Sequence, residues 1–438
     1  MSRSPRSAVR RLAVARVISI TGGAAAYTAL MFGIYRETHS AAWLSATLLL
    51  TFGVTGFVGI FAGTLGDRFD RRKVMIASDL LGAAFFLCMG FAHAPWLLIL
   101  FAFFSAVVEV PFWSASAAAI PNLVEDESDI SWGNSMVAMA RNAGITIGPA
   151  IGGIAIGAFG PQAVFIANAI SFAISAGLVF TVHGPFAGER SEEEEHPHGV
   201  KAGWRFLFHD RVLRTMSIAW VVLVLGLGMG MVADVPLAES FHAGSIGFGL
   251  IVTAWGAGSV VGSFAGRYLK ERTEAWALVL GTAASAVALL LTGVSPWFAP
   301  IVVLILFFGI SDSVTLVAEQ GIRQRRTPDP LRSRVMAASE ATWQLALPAA
   351  YLLAGAIIGM VGPQGVYALG GVAAVLATIV LIPVLLQLRR ENRARAADPG
   401  AGGSAPATYP SEAADRVVEE PSAAGRSTAA PSPRASRE

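Results

Sequence analysis

The chain has 438 residues, of which 54% are hydrophobic and only 14% are charged, and its mean hydropathy is +0.59. Because soluble globular proteins carry about a quarter charged residues, this composition excludes an ordinary water-soluble domain. The net charge of +2 gives no reason to expect a nucleic-acid partner, and the single cysteine, Cys88, excludes an intrachain disulfide.

Apolar runs of about 20 residues, the length at which a helix crosses a bilayer core, recur until about residue 388. The first run is too long for a signal-peptide core and is expected to persist as a helix. The predicted spans of the first half are 12–35, 42–66, 73–92, 95–120, 135–159 and 162–182. Those of the second half are 213–236, 245–269, 275–293, 297–320, 335–360 and 364–388. The predicted fold class is therefore an all-α integral membrane protein with twelve transmembrane helices in two six-helix bundles.

Basic residues are concentrated in every second connection between these spans. If both termini lie inside, the short outside loops contain one basic residue, Arg36. The inside segments then contain Arg10, Arg11, Arg68, Arg71, Arg72, Lys73, Arg267, Lys270, Arg325, Arg326, Arg389 and Arg390, among others. This asymmetry follows the positive-inside rule and predicts that both termini are cytoplasmic. The expected location is the bacterial cytoplasmic membrane, with the chain as a multi-pass protein.

The two halves of the chain resemble each other in sequence. FGPQAVF at 159–165 recurs as VGPQGVY at 361–367, an offset of 202, and GIFAG at 59–63 recurs as GSFAG at 262–266. A repeat in the same topology predicts two bundles related by an axis along the membrane normal, with a site between them near the midplane. The predicted domains are a basic segment (1–11), an N-terminal bundle (12–182), a cytoplasmic linker (183–212), a C-terminal bundle (213–388) and a disordered cytoplasmic tail (389–438).

The linker carries the run Glu192–Glu195, followed by His196 and His198. A metal site and a solvated acidic loop both fit this run. The loop is favoured, because blocks of like charge are usually disordered. We therefore predict no metal site in the protein.

The stretch GTLGDRFDRRK at 63–73 joins the second and third spans on the inside. Its glycines permit close helix approach, and its acid and arginines offer hydrogen-bond and ion-pair partners. Two interpretations remain open: a cytoplasmic gate that latches the inside face shut, and basic residues that only set the topology. The gate candidates are Gly63, Gly66, Asp67, Arg68, Arg71 and Arg72.

The stretch GITIGPAIGG at 144–153 places four glycines and a proline in the fifth span. A bilayer tolerates them, since unfolding would expose backbone groups to lipid. The four-residue spacing of Gly144, Gly148 and Gly152 predicts a groove for close approach of another helix, with a kink at Pro149. We interpret this stretch, which ends at Gly153, as a dry contact between the two bundles. Plain packing of small residues is the alternative.

These two stretches resemble signatures of the major facilitator superfamily. GTLGDRFDRRK is similar to the superfamily's loop signature G-x-L-x-D-R-x-G/D-R-R/K, and GITIGPAIGG matches the G-x-x-x-G-P-x-x-G-G signature of drug:proton antiporters. The region AAIPNLVEDESDISWGNS is similar to exporters near the bacterial enterobactin-exporter and macrolide-efflux branch. The resemblance covers about residues 10 to 390, and it implies the major facilitator fold with antiport as the activity.

Two acids lie deep in predicted spans, where ionisable residues are expensive and are functional candidates by default. Glu109 lies midway along the fourth span and shares a helix face with Phe112 and Trp113. Asp312 lies at the equivalent depth of the tenth span, one position from the offset-202 equivalent of Glu109. Because desolvation disfavours a charged carboxyl, both are candidate proton carriers. A structural acid, paired with a group on another helix, is the alternative for each.

Arg141 lies about two turns into the fifth span, on the same stripe as Gly148 and Gly152. It is interpreted either as one partner of an interhelical salt bridge or as the counter-ion of the coupling acid. Aromatic residues are candidates for the wall of a substrate cavity, and packing against lipid or other helices is an equal alternative. These candidates are Phe112, Trp113, Trp255 and Trp343.

The sequence contains no H-E-x-x-H motif, no phosphate-binding loop and no paired cysteine ligands. We therefore expect no catalytic residues and no cofactor, and an ion gradient as the energy source. The predicted function is proton-coupled export of a small amphipathic molecule, such as a drug, antibiotic or siderophore, by alternating access. The expected partners are the lipid bilayer, the substrate and protons, and the protein is expected to work as a monomer. A facilitator-type importer of a metabolite and a transport-inactive receptor or platform are the alternatives.

Overall fold

The computed structural model describes residues 5–53, 69–123, 127–182, 186 and 198–397. Within these ranges the regular structure is helical, without a β-strand. The helices of the first half are α1 (Pro5–Thr38), α2 (Ala41–Thr51), α3 (Arg71–Phe91), α4 (Pro95–Leu123), α5 (Glu127–Phe159) and α6 (Pro161–Thr181). Those that follow are α7 (His198–His209), α8 (Arg211–Ser240), α9 (Gly244–Ser263), α10 (Glu271–Val294), α11 (Phe298–Arg326) and α12 (Arg332–Ala397).

Ten helical stretches in the described ranges are long and apolar enough to cross a membrane. Each coincides with one of the predicted spans, or in the case of α12 with two of them. The predicted span 42–66 is described only as far as residue 53, where α2 has just ended. The all-helical, multi-pass membrane architecture is therefore confirmed, and the number of twelve spans stays a prediction.

The sequence repeat encodes the same corner twice. Gly160, with φ of 80°, separates α5 from α6, and Gly362, with φ of 72°, separates the two arms of α12. Glycine adopts this left-handed conformation without steric penalty. The proline that follows each glycine begins the next helix, where its missing N–H is not needed. The repeated G-P-Q thus ends one span and starts the next at corresponding places in the two halves.

The helices form two groups that match the two halves of the chain. In the first half α1 packs against α5 and α6, and α3 packs against α4 and α6. In the second half α8 and α10 pack against α12, and α9 and α10 pack against α11. The two groups meet mainly where α5 touches α9 and where α2 touches α12.

One end of the molecule, called here the basic end, collects arginines from both halves. In the first half, Arg11 donates to the Thr181 carbonyl at 3.1 Å and Arg71 donates to the Ala118 carbonyl at 2.8 Å. In the second half, Arg326 is 3.1 Å from Asp210 and 2.8 Å from Glu391. The corners at Gly160 and Gly362 lie at the opposite end, called here the far end.

Large apolar side chains cover the outside of the helices as well as the interior. Ile154, Ile174, Leu291 and Leu352 are each about half exposed. A soluble protein rarely shows so much contiguous apolar surface, whereas lipid tails solvate it well. Hydropathy therefore does not distinguish the lipid-facing side of a helix from the buried side in this protein.

The predicted linker contains a helix that the sequence interpretation did not foresee. The indole Nε1 of Trp204 in α7 donates to the Ala338 carbonyl at 2.8 Å and to Thr342 Oγ1 at 3.1 Å, which fixes α7 to the start of α12. Phe206 and Leu207 are buried on the same side. The run Glu192–Glu195 lies outside the described residues.

Candidate functional site

Glu109 lies midway along α4, and its predicted neighbour on the same face is confirmed. Trp113, one turn further along, donates its indole Nε1 to Glu109 Oε1 at 3.1 Å. Phe112 is almost completely buried beside them. An acid and a tryptophan therefore form a hydrogen-bonded pair in the middle of the first half.

Arg16 of α1 joins this pair, although the sequence interpretation missed it. Its guanidinium carbon lies 3.9 Å from the Trp113 ring centroid and 4.9 Å from that of Phe112, both within cation–π range. Its Nη2 donates to Ser116 Oγ at 2.9 Å, and only 2% of the residue is exposed. The sequence does show Arg16 as a charged residue inside the predicted span 12–35. The high hydropathy of that span, which defined it, drew no attention to the single arginine.

Asp79 of α3 is a second charged residue that the sequence interpretation did not single out. Only 1% of it is exposed, and it faces Ser175 of α6. Asp79 and Glu109 both interact electrostatically with Arg16. The sequence signal for Asp79 was an ionisable residue six positions inside the predicted span 73–92, where such residues are functional candidates by default.

Arg141 of α5 completes the group, with its guanidinium carbon 5.9 Å from the Trp113 ring centroid. It also interacts electrostatically with Arg16. The four charged residues, Arg16, Asp79, Glu109 and Arg141, are called here the buried charge cluster after its two buried members, Arg16 and Asp79; Glu109 is partly buried and Arg141 is exposed. They come from four different helices, so the cluster depends on how those helices pack. The counter-ion role of Arg141 stays a prediction.

Asp312 of α11 lies in the second half, and its side chain lies against the indole of Trp255 on α9. An acid next to a tryptophan therefore occurs in both halves, within one helix in the first and between two helices in the second. Trp343 does not take part in this pair. Its Nε1 donates to Glu340 Oε2 at 2.8 Å, three residues back on α12.

The glycine–proline stretch makes two different contacts, and part of the prediction was wrong. Gly144, Gly148 and Gly152 face α1 of the same half, because added Cβ atoms would lie 2.7 Å from Ile20, 2.6 Å from Ala24 and 2.8 Å from Ala25. The predicted contact between the halves is instead made by the adjacent face. Gly153 approaches Gly249 of α9, and its carbonyl accepts a 2.9 Å hydrogen bond from Ser245 Oγ. Which face of α5 points to α1 and which to α9 depends on the rotation of α5 about its axis. The spacing of the glycines in the sequence does not determine that rotation.

Most of the predicted gate stretch lies outside the described residues, including Gly63, Gly66, Asp67 and Arg68. Arg71 and Arg72 are described, and both donate to backbone carbonyls near the ends of helices. Arg71 reaches Ala118 of α4, and Arg72 reaches Phe180 of α6. The last four carbonyls of a helix lack intrahelical partners, and Phe180 is one of them, so Arg72 completes the hydrogen bonding at the end of α6. Ala118 lies about one turn before the last residue of α4.

A polar and aromatic group connects the halves near the far end. Asp234 of α8 accepts a hydrogen bond from the Tyr367 hydroxyl in the second arm of α12. Tyr27 of α1 interacts electrostatically with Asp234, and its ring lies 6.4 Å from that of Phe248 in α9. Asp234 is therefore hydrogen-bonded to one tyrosine, Tyr367, and lies within electrostatic reach of a second, Tyr27, from the other half.

The fold and the cluster define a multi-pass membrane protein with charged residues buried inside one helical bundle. The family model of the Major Facilitator Superfamily matches residues 12–235 and 228–418, so the chain belongs to that superfamily. It is similar to the enterobactin exporter EntS of Shigella boydii and of Escherichia coli, with 26% identity over 403 residues. These alignments cover 87% of this chain and 93% of each relative.

Solved structures share the fold at lower sequence identity. A bacterial homologue of the iron transporter ferroportin in an inward-facing state has a TM-score of 0.68 and 14% identity, over 87% of this chain and all of the other. A bacterial homologue of the human lysosomal transporter Spinster, inward-facing and unoccupied, has a TM-score of 0.67 and 14% identity over 90% and 98%. The protein is therefore a transporter of the superfamily by its fold and by its sequence family.

Proposed function

We propose that this transporter is a proton-coupled exporter of a small amphipathic molecule, such as a drug, antibiotic or siderophore. It would act in the bacterial cytoplasmic membrane as a monomer of twelve membrane-spanning helices, with both termini in the cytoplasm and the proton gradient as its energy source. The single observation that carries the proposal is the buried charge cluster around Trp113. Charges inside an apolar bundle are expensive, and a transporter that must bind and release protons has a use for them.

The cycle follows from unequal binding in two arrangements of the halves. Protonation of Glu109, Asp312 or both from outside favours one arrangement, and substrate binding from inside with release of the proton favours the other. A ligand can drive such a change only when it binds the two arrangements with different affinity. In this cycle Trp113 would report substrate occupancy to the acid, a role supported by its contacts with Glu109 and Arg16.

The contacts between the halves support an arrangement that is closed at the far end. Gly153 meets Gly249 there, and Ser45 of α2 meets Gly355 of α12. If the basic end is cytoplasmic, the contacts of these residues correspond to an inward-facing transporter. The relative named as an enterobactin exporter supports outward transport of an amphipathic molecule for this chain as well.

The test is accumulation of fluorescent dyes and antibiotics in bacterial cells that lack their other efflux systems. Expression of the protein should lower accumulation of at least one compound, and a protonophore should abolish that effect. An expressed Glu109→Gln variant is the matched control. Unchanged accumulation across a broad panel, together with uptake of a nutrient, would indicate an importer. The absence of both activities would indicate a receptor or platform.

A further inference from the structure

The Asp79 carboxyl is the least exposed acid of the buried charge cluster, and one of its oxygens is unpartnered. Among the described residues its Oδ2 makes no hydrogen bond of regular geometry. The Oγ of Ser175, which faces Asp79 from α6, makes none of regular geometry either. Both residues are shielded from solvent, with 1% and 0% of their surface exposed. A buried carboxylate without partners is destabilised by several kcal/mol or more, whereas a protonated carboxyl needs much less compensation.

Arg16 is incompletely bonded in a complementary way. Its Nη2 donates to Ser116 and its plane stacks on Trp113, but Nε and Nη1 find no hydrogen-bond partner among the residues that the structure describes. Arginine presents its donors as a planar fork that suits a carboxylate. One guanidinium therefore lies within electrostatic reach of two acids, Asp79 on α3 and Glu109 on α4. Its free N–H donors are complementary to the Asp79 Oδ2 acceptor, which lacks a donor.

The charged and titratable groups near Asp79 are few in the described part of the chain. They are Arg16 from α1 and Glu109 from α4. Arg141 of α5 acts on the same arginine, and α6 contributes only the neutral Ser175. When Asp79 is ionised, Arg16 is the cation that can approach it. Such an approach breaks the contact of Arg16 with Ser116 and its stacking on Trp113.

We propose that Asp79 is a proton-binding residue, and that the Arg16 guanidinium moves between Asp79 and the Trp113–Ser116 contact as that proton leaves and returns. The carboxylate takes up one proton and becomes a carboxylic acid, and Arg16 then rests on Trp113. Release of the proton to water restores the carboxylate, which attracts Arg16. Proton binding on α3 is thereby linked to the side chain that contacts Glu109. The role of this link in transport rests on the proposed proton-coupled export. Proton binding by Asp79 does not depend on that proposal.

The test uses the purified full-length protein in lipid vesicles, without any substrate, and the proton as the probe. Infrared difference spectra are recorded between about pH 5 and pH 9, where the C=O stretch of a protonated carboxyl is resolved from that of a carboxylate. A carboxylic band that forms on acidification should be missing in Asp79→Asn. It should remain in Glu109→Gln and in Ser78→Ala, a matched control on the same turn of α3. Identical bands in wild type and Asp79→Asn would overturn the proposal.

Two further variants keep the test decisive. If Asp79→Asn does not fold, Asp79→Glu retains the carboxyl in a longer side chain, so its band should shift in frequency, and an unshifted band overturns the assignment. Ser116→Ala removes the acceptor that holds Arg16 at Trp113, so the pH midpoint of the Asp79 band should move by on the order of one unit. An unchanged midpoint would overturn the exchange of Arg16. Absence of efflux from cells with the Asp79 band present would refute the transport proposal alone.

Discussion

In the first half of the chain a stripe of small residues in α5 packs against α1, and in the second half a corresponding stripe in α12 packs against α8. At the offset of 202, Gly144, Gly148 and Gly152 correspond to Ala346, Ala350 and Ala354. All three alanines are buried, and Ala350 lies close to Gly228 of α8 just as Gly148 lies close to Ala24 of α1. Small residues let helix backbones approach closely in a membrane, so both halves use one packing scheme.

The buried charges do not follow this symmetry. Arg16, Asp79, Glu109 and Arg141 of the first half correspond at the same offset to Ile218, Gly281, Ser311 and Trp343 of the second. The second half therefore builds the same helix packing without these charges. It follows that the packing does not require the buried charge cluster, which supports a functional origin for it.

The basic end differs between the halves as well. In the first half Arg11, Arg71 and Arg72 donate to backbone carbonyls near helix ends. In the second half the arginines pair with carboxylates: Arg326 with Asp210 and Glu391, Arg325 with Glu274, and Arg323 with Glu319. The positive-inside rule explains why arginines are concentrated at this end, but it does not determine which groups they bind. The first half pairs them with backbone carbonyls and the second half with carboxylates.

The largest expected effect comes from breaking the shared packing scheme. In Gly148→Leu the Cβ would lie 2.6 Å from Ala24 Cβ and 2.7 Å from the Thr21 carbonyl oxygen, so α1 must move away. We expect destabilisation by more than about 3 kcal/mol, seen as a loss of monodisperse protein and a lower thermal midpoint in detergent. Gly177→Leu is the control, since no described residue of another helix comes within 4 Å of its added Cβ. A variant at position 148 as stable as the control would disprove the packing argument.

The ion pairs of the second half should account for the next largest effect. Arg326→Ala leaves Asp210 and Glu391 without their cation, and only 6% of the Arg326 side chain is exposed. We expect a loss of about 3 kcal/mol in the free energy of unfolding, measured by denaturant titration in micelles. Arg332→Ala, which breaks a solvent-exposed pair with Asp329, should change it by less than about 0.5 kcal/mol. Equal effects of the two would contradict the role given to burial.

The asymmetry of the buried charges predicts unequal roles for the two central acids. Glutamine keeps the neutral form at every pH, so Glu109→Gln should no longer respond to a proton gradient, and gradient-driven efflux from vesicles should fall about tenfold. Asp312→Asn should reduce it less, because Asp312 has Trp255 and not an arginine beside it. Equal pH profiles for wild type and both variants would remove these acids as proton carriers.

The smallest effect is expected at the contact between the halves. In Gly153→Ala the new Cβ would lie 2.6 Å from the Ser245 carbonyl oxygen, which pushes α9 away without disturbing either half. Efflux should fall by about fivefold while the thermal midpoint stays close to wild type. Gly157→Ala, whose nearest neighbour is 3.6 Å away, should behave as wild type. A large loss of stability in Gly153→Ala would show that this contact holds the fold together.

The amino-acid sequence alone was enough to predict the ten described membrane-crossing stretches, the breaks at the repeated G-P-Q, the concentration of arginines at one end and the superfamily. These follow from local rules, because a bilayer admits helices of a certain length and a repeat in sequence implies a repeat in structure. The pair of Glu109 and Trp113 was also accessible, since residues four apart on a helix are neighbours.

The rotation of each helix about its axis and the choice of neighbouring helices are visible only in the tertiary structure. It turned the Gly144–Gly152 stripe toward α1, and it brought Arg16 and Asp79 to Glu109 from separate helices. In a soluble protein the polar side of a helix reveals its rotation, but here lipid makes both sides apolar. Rotation is set by the close fit of small residues between helices, and that fit exists only after the helices have packed.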